Sequence, residues 1–198
     1  RNLVSKADLI ITIGLDAVEL QPKGWPYRTK VLSFANHPIL DALVPCNEEV
    51  IGALDQLLKV IVENVPQGSG WGFDAAKTFR NRVHKALDTP ATGLSPQQVV
   101  DCARAIMPRD TIATCDAGAS RLLVVQKWQS YGPREFLTST GLGSMGFAIP
   151  GALAARLAHR EKPVLAFTGD GGLLMAVADI QTSVRANLPI IILVVDDG

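Results

Sequence analysis

The sequence predicts an α/β protein in which open parallel sheets carry helices on both faces, a three-layer αβα arrangement. Two observations lead to this prediction. Apolar runs such as ADLIITIG and PVLAFTG lack polar alternation, which is typical of strands buried on both faces. From residue 96 onwards such runs alternate with segments of helical periodicity, and this alternation favours a parallel sheet.

Residues 1–65 are predicted to be the later half of a central, Rossmann-like domain. Its strands are expected at residues 7–14 and 30–35, with a loop of two prolines and a glycine between them. Asn47 is expected to cap a helix that continues to Asn64, because acidic residues follow it and apolar positions recur at helical spacing. Residues 66–94 are predicted to be a linker that contains one exposed helix.

Residues 95–198 are predicted to be a second, cofactor-binding domain. Ser95 followed by Pro96 is a typical helix start. The chain opens in mid-pattern and stops directly after an apolar strand, so we expect it to be a piece of a longer protein. The elements expected in this domain are helix 96–106, strand 111–115, a helix after residue 120, strand 135–138, helix 146–159, strand 163–169, helix 173–186 and strand 189–195.

The composition argues against several partners. Lysine and arginine balance aspartate and glutamate at 19 each, which gives no support for nucleic acid or an anionic membrane as partner. The start of the chain lacks a signal-peptide pattern, and the longest apolar run is too short to span a bilayer. Three cysteines without a C-x-x-C pair predict reduced thiols. We therefore expect a cytoplasmic protein.

Acidic motifs end two consecutive predicted strands. Asp170 follows PVLAFTG, and Asp197 closes the stretch VVDD. Ligands of open parallel sheets bind at the carboxyl ends of the strands, so both carboxylates are expected at one edge, where they suit a hard divalent cation. Gly169–Gly172 lets backbone N–H groups approach an anion at a helix N-terminus. The pattern predicts Mg²⁺ bridging to a diphosphate, although each motif alone is compatible with a tight turn or a cap.

The stretch GLGSMG, residues 141–146, is compatible with two cofactors. As a string it fits the dinucleotide fingerprint G-x-G-x-x-G, and Asp170 would then be the ribose-binding acid of a nicotinamide site. The preceding run EFLTST is short and polar for a central first strand, however, and Asp170 is followed at once by two glycines and a new helix. These features disfavour the nicotinamide site.

The pair of motifs at Asp170 and Asp197, with one helix and one strand between them, resembles the G-D-G…N-[ND] signature of thiamine-diphosphate enzymes. The branch it resembles contains acetolactate synthase and benzoylformate decarboxylase, and the resemblance covers nearly the whole chain. It implies that Asp170 and Asp197 bind Mg²⁺ through their side chains. Asp196 stands where the family often has asparagine.

The resemblance extends to S-x-G-L-G-x-M-G-x-x-x-P at residues 139–150, and it implies a role for this stretch. Met145 would wedge between the two rings of thiamine diphosphate, and the Gly143 carbonyl would accept a hydrogen bond from the 4′-amino group. These two are the implied catalytic residues. The implied cofactor-binding residues are Gly118, Ala119, Ser120, Gly143, Ser144, Met145, Gly169, Asp170, Gly171, Gly172 and Asp197.

The implied function is that of a thiamine-diphosphate- and Mg²⁺-dependent enzyme that makes or breaks C–C bonds in a 2-oxo acid or aldehyde, as a homodimer or homotetramer. The substrate, the reaction subtype and any use of FAD stay open. These 198 residues alone are expected to be inactive, because in the family an activating glutamate comes from another domain. The alternatives are a non-catalytic cofactor-binding fragment and a NAD(P)-dependent oxidoreductase that uses Gly141–Gly146.

Overall fold

The computed structural model describes residues 3–16, 25–39, 44–65, 72–88 and 93–196 of the 198-residue chain. It contains two compact units, residues 1–81 and 82–198. Each unit holds its own sheet, and every described strand pairing is parallel. The α/β class predicted from the sequence is therefore confirmed.

The first unit has a three-stranded sheet in the order β1-β2-β3, with one helix after the last strand. Val31, Phe34 and Ala35 on β2 are buried, and this central strand contacts the helix. A single 3-10 turn, Val4–Lys6, precedes the sheet. The elements are β1 (Leu9–Ile13), β2 (Lys30–Ala35), β3 (Glu48–Ile51) and α1 (Leu54–Asn64).

Two expectations for this unit are wrong. Asn47 does not cap a helix: its side-chain Oδ1 accepts the Val31 N–H at 2.8 Å and its own N–H donates to the Val31 carbonyl at 2.9 Å, so it leads into β3. The helix begins only at Leu54. Strand β1 is also not buried on both faces, since Leu9, Ile11 and Ile13 are nearly half exposed. Within the described ranges, β1 is the outermost strand and pairs with β2 alone.

The second unit has a four-stranded sheet in the order β5-β4-β6-β7. The division between the units falls inside a long helix, between Asn81 and Arg82, and the predicted domain boundaries at 65 and 95 remain a prediction. The helix that the division cuts is α2 (Gly72–Leu87). The strands of the second unit are β4 (Ile112–Cys115), β5 (Phe136–Thr138), β6 (Val164–Gly169) and β7 (Ile191–Val195), and its other helices are α3 (Pro96–Ile106), α4 (Ala119–Lys127), α5 (Ala148–Ala158) and α6 (Asp170–Arg185).

Successive residues of β4 and β6 point to opposite faces and enter two different cores, as the strand period of two requires. The core on the α3 and α4 side contains Val100, Ala113, Cys115, Val124, Trp128, Leu165 and Phe167. The core on the α5 side contains Ile112, Ala148, Ala152, Ala155, Val164 and Ala166. Helices thus cover both faces, which confirms the three-layer arrangement.

Local signals place most of this unit correctly. The Ser95 hydroxyl accepts the Gln98 N–H, and the Gln98 side-chain Oε1 accepts the Ser95 N–H. The expected cap is therefore a full capping box, with Pro96 at the first helical position. Helix α6, in contrast, begins at Asp170, three residues before its expected start. In the described part of the chain, every helix is too short or too polar to cross a membrane.

Candidate functional site

A cavity of about 210 Å³ opens at the carboxyl ends of β4, β6 and β7. This is the edge at which parallel sheets bind their ligands, and it is where the acidic and glycine-rich motifs were expected. Strands β6 and β7 are parallel and Gly169 pairs with Val195, so the two strands end next to each other. The lining residues are Pro96, Ala117, Gly118, Ala119, Ser120, Leu123, Met145, Gly169, Asp170, Gly171, Gly172 and Val195.

The start of α4 forms one part of the cavity. Gly118 is its N-cap residue and has φ +131°, a backbone angle that residues other than glycine rarely adopt. No side chain caps this helix, and Gly118 and Ala119 are exposed. The first turn therefore presents backbone N–H groups, together with the positive end of the helix dipole, at the cavity.

The start of α6 forms another part. Gly169 is the N-cap residue, again with no side-chain cap, and the exposed Asp170 is the first helical residue. Of the four helices α3 to α6, α3 is capped by Ser95, and the first N–H of α5 is accepted by the Asp116 carboxylate. Helices α4 and α6 both begin at the cavity without a side-chain cap, which makes it suited to an anion.

The loop that carries GLGSMG contributes Met145 to the same cavity. Gly143 has φ +61° in this loop, and the Ser144 N–H donates to the Ser139 hydroxyl at 3.2 Å. Gly143 and Ser144 are not among the lining residues. The predicted residues that the cavity brings together are Gly118, Ala119, Ser120, Met145, Gly169, Asp170, Gly171 and Gly172.

The surroundings of this loop do not suit a dinucleotide site. The strand before it, β5, has three residues and is the outermost of the four described strands, whereas the fingerprint follows a central first strand. Helix α5 starts at Ala148, two residues after the last glycine of the fingerprint. The nicotinamide alternative therefore has no support in the geometry.

The predicted metal ligands are only partly described. Asp170 lies at the rim of the cavity and Asp196 follows the neighbouring strand β7, but Asp197 lies outside the described residues. In the described ranges no group of three or more metal-ligating side chains is present. Mg²⁺ is usually held by one or two carboxylates together with phosphate oxygens, and the exposed Asp170 at the start of α6 is compatible with such a site.

Three residues around the cavity were not singled out in the sequence. Asp116 and Thr168 are buried, and a Cβ on the lining residue Gly172 would overlap both. Asp116 follows an apolar strand and precedes a helix, a pattern that is also typical of a helix cap. Arg121 places its Nη1 3.7 Å from the point that a Cβ on Gly143 would occupy. A cation in the first turn of α4 opposes the helix dipole, which was a usable signal.

The thiol of Cys115 is next to this site but is not a candidate nucleophile. Burial and, to a smaller extent, the charge of Asp116 raise its pKa to about 12, although the charge of Arg121 lowers it. The thiol is fully buried and donates to the Asp116 carbonyl. Since the thiolate is the reactive form, Cys115 is a packing residue.

Comparison with known proteins agrees with this geometry. Residues 116–198 match the model of the family "Thiamine pyrophosphate enzyme, C-terminal TPP binding domain". The chain is 26% identical over 216 residues to the acetolactate synthase of Bacillus subtilis, which covers 99% of this chain and 36% of that protein. It is 24% identical over 220 residues to a probable acetolactate synthase large subunit of Methanococcus aeolicus, with 98% and 36% covered.

A higher identity over a shorter stretch is found with the acetolactate synthase isozyme 1 large subunit of Escherichia coli. The two are 32% identical over 124 residues, which is 63% of this chain and 21% of that protein. The chain spans about a third of the length of the relatives that match nearly all of it. The chain is thus similar to acetolactate synthases along nearly its whole length, and the part that matches the thiamine pyrophosphate-binding domain model is residues 116–198.

Proposed function

We propose that the chain is part of a thiamine-diphosphate- and Mg²⁺-dependent enzyme that makes or breaks a C–C bond next to the carbonyl group of a 2-oxo acid or aldehyde. The observation that carries the proposal is the cavity at which helices α4 and α6 both begin without a side-chain cap. Met145 and the Asp170 carboxylate line this cavity together. The helix starts are suited to a diphosphate group, Asp170 is suited to a metal ion, and Met145 is suited to pack between the two rings of the cofactor.

The residues that would hold the cofactor fall into two groups. Gly118, Ala119 and Ser120 at the start of α4, with Gly169–Gly172 at the start of α6, would bind the diphosphate and its metal. Glycine suits the second group because a Cβ on Gly171 would already be 2.9 Å from the Met145 Cε. The Gly143 carbonyl and the Met145 side chain would hold the aminopyrimidine and the bend of the cofactor.

When bound, thiamine diphosphate supplies a carbon nucleophile and an electron sink for the carbonyl substrate. This chain would contribute binding and orientation. Asp170 at the start of α6 and Asp197, two residues after the end of β7, would hold the metal. Ser144 would belong to the loop that carries Gly143, with its N–H anchored on the Ser139 hydroxyl.

The full-length protein would work as a homodimer or homotetramer in the cytoplasm. By resemblance to the family, an activating glutamate would come from another domain, so the 198 residues alone would give no turnover. Acetolactate synthase-like carboligation is the reaction that the relatives favour, because three of those that match nearly the whole chain are acetolactate synthases of different organisms.

The test is turnover by the full-length protein. A panel of 2-oxo acids with side chains of increasing length is supplied with thiamine diphosphate and Mg²⁺, and carbon dioxide release and carboligated products are measured. We expect activity that disappears when either thiamine diphosphate or Mg²⁺ is omitted. Activity that persists without both, or that requires NADH instead, would overturn the proposal.

A further inference from the structure

Asp116 is a buried carboxylate that joins two segments of the candidate site. It is 1% exposed and lies directly after β4. Its Oδ1 accepts the backbone N–H of Ala148 at 2.9 Å. Its Oδ2 accepts the hydroxyl of Thr168, itself fully buried, at 2.6 Å. Hydrogen bonds to a carboxylate are shorter and stronger than those between neutral groups, so this junction is held firmly.

The two partners of Asp116 lead into different parts of the site. Ala148 is the first residue of α5 and follows the loop of residues 141–146 after a single intervening residue. Thr168 lies on β6 immediately before Gly169–Gly172. One carboxylate therefore fixes the end of the loop that contains Gly143 and Met145 relative to the start of α6.

The first turn of α6 packs directly on this junction. A Cβ at Gly172 would overlap both the Asp116 Oδ2 and the Thr168 Oγ1. Both atoms are buried and hydrogen-bonded to each other, so neither can move aside cheaply. The α6 backbone at Gly172 therefore packs against Asp116 and Thr168 with no room for a side chain between them.

We propose that Asp116 and Thr168 are positioning residues that set the separation between the aminopyrimidine segment, residues 141–146, and the diphosphate segment, residues 169–172. The inference rests on the proposed function, since it assumes that both segments hold one thiamine diphosphate. Neither residue lines the cavity, so both act through the backbone of Ala148 and of Gly169–Gly172. Losing the junction would let the two halves of the site move independently and would weaken a ligand that bridges them.

The test compares two buried threonines of the same sheet in the full-length protein. Thr168→Val removes the hydroxyl that donates to Asp116. Thr111→Val is the matched control, because Thr111 is also fully buried and loses one hydrogen bond, from its hydroxyl to the Pro108 carbonyl at 2.8 Å. Thr111 lies just before β4, at the other end of the strand from Asp116. Thr168→Ser keeps the hydroxyl and removes only a methyl group.

The readouts are the thiamine diphosphate dissociation constant by calorimetry in Mg²⁺, and thermal denaturation without the cofactor. We expect Thr168→Val to weaken cofactor binding about tenfold or more, while Thr111→Val and Thr168→Ser stay within about threefold of the wild type. All three are expected to lower the melting temperature, because each disturbs a buried threonine.

Equal cofactor affinities for Thr168→Val and Thr111→Val would overturn the positioning role and leave the proposed function intact. A Thr168→Ser variant as weak as Thr168→Val would also overturn it, since the hydroxyl would then not matter. A wild-type protein that does not bind thiamine diphosphate would overturn the proposed function itself and this inference with it. If Thr168→Val does not fold, Asp116→Asn carries the same expectation of weakened binding.

Discussion

The terminal methyl carbon of Met145 occupies the space in front of Gly171: a methyl group added to Gly171 would lie 2.9 Å from the Met145 Cε. The two residues come from different segments, the loop before α5 and the first turn of α6. Glycine at position 171 therefore determines where the methionine side chain can lie. This contact joins the two halves of the proposed cofactor site from the cavity side.

Gly171→Ala is expected to weaken cofactor binding without destabilising the fold. Alanine favours a helix over glycine by about 1 kcal/mol, and the atom it meets is the mobile end of a methionine side chain. Met145 would be displaced from its position as wedge, and we expect about a tenfold weaker affinity for thiamine diphosphate, measured by calorimetry.

Gly52→Ala is the matched control for this variant, because a Cβ there would make only ordinary contacts, the nearest at 3.6 Å from the Leu57 Cδ1, and Gly52 does not line the cavity. It is expected to bind the cofactor like the wild type. Wild-type affinity in Gly171→Ala would show that Met145 has no role in holding the cofactor.

Gly172→Ala, one residue later, is expected to destabilise the fold. The added methyl group would overlap Asp116 and Thr168, which are buried and bonded to each other, so there is no flexible end to displace. Overpacking of this kind costs about 1–3 kcal/mol or more. Urea denaturation of Gly171→Ala and Gly172→Ala side by side checks the contrast, and equal midpoints would contradict the packing described for Asp116.

Removing the two carboxylate partners of Lys127 is expected to destabilise the fold more than replacing Lys127 itself. Its ammonium group is almost fully buried and contacts Asp88 at 2.8 Å and Asp101 at 2.5 Å. Burial alone lowers the pKa of Lys127, but the two carboxylates outweigh this and hold it above its usual value. The charge therefore stays in a buried position.

The double variant Asp88→Asn/Asp101→Asn would leave that charge without a counterion, which we expect to cost about 3 kcal/mol. Lys127→Met replaces it with an apolar side chain and returns two half-exposed carboxylates to water, so its cost is expected to be smaller. Guanidinium chloride unfolding at pH 7 measures both. A larger loss in Lys127→Met would mean that the ion pair itself stabilises the fold.

Glu135 is expected to make the second unit sensitive to acid. Burial alone raises the pKa of Glu135, but hydrogen bonds from the Tyr131 and Gly132 N–H groups and the nearby Lys162 ammonium lower it below its usual value. A lowered pKa gives stability that is complete above the unfolded pKa of about 4.3 and is lost as the pH falls through the folded value.

The measurement is urea denaturation of the wild type and Glu135→Gln at pH 7 and at a series of pH values below 4.5. The difference between their midpoints is expected to shrink as the pH falls, because protonated glutamic acid resembles glutamine. Glu161→Gln is the control, since the side chain of Glu161 is 75% exposed. A wild-type advantage that stays constant down to pH 2 would contradict the lowered pKa.

Local signals in the sequence were strong enough to place most of the second unit. The Ser95–Pro96 start and the uninterrupted apolar run of β6 predict their elements because the deciding interactions lie within a few residues. The helix predicted to start after Asn47 was wrong because the deciding interaction there lies far away along the chain. Its acidic start reads as a helix cap, but pairing with Val31, 16 residues earlier, draws Asn47 and the residues after it into the sheet.

The site was predictable as a set of motifs, whereas its connections were not. The spacing of Asp170 and the glycines of Gly169–Gly172 along the chain predicts an anion-binding site at the end of a strand. The link from Asp116 to Ala148 and Thr168 spans 32 and 52 residues, and no periodicity encodes it. At Gly172, Asp116 and Thr168 leave no room for a side chain, and this long-range packing could not be read from the sequence either.

The central claim is that the cavity at the start of α4 and α6 binds thiamine diphosphate through a metal held by Asp170. Calorimetric titration of the full-length protein with thiamine diphosphate in the presence of Mg²⁺ tests it most directly, with Asp170→Ala as the variant and Asp110→Ala, an exposed residue before β4, as the control. We predict saturable binding that Asp170→Ala abolishes and Asp110→Ala leaves unchanged. Absence of binding, or equal binding by Asp170→Ala, would contradict the claim.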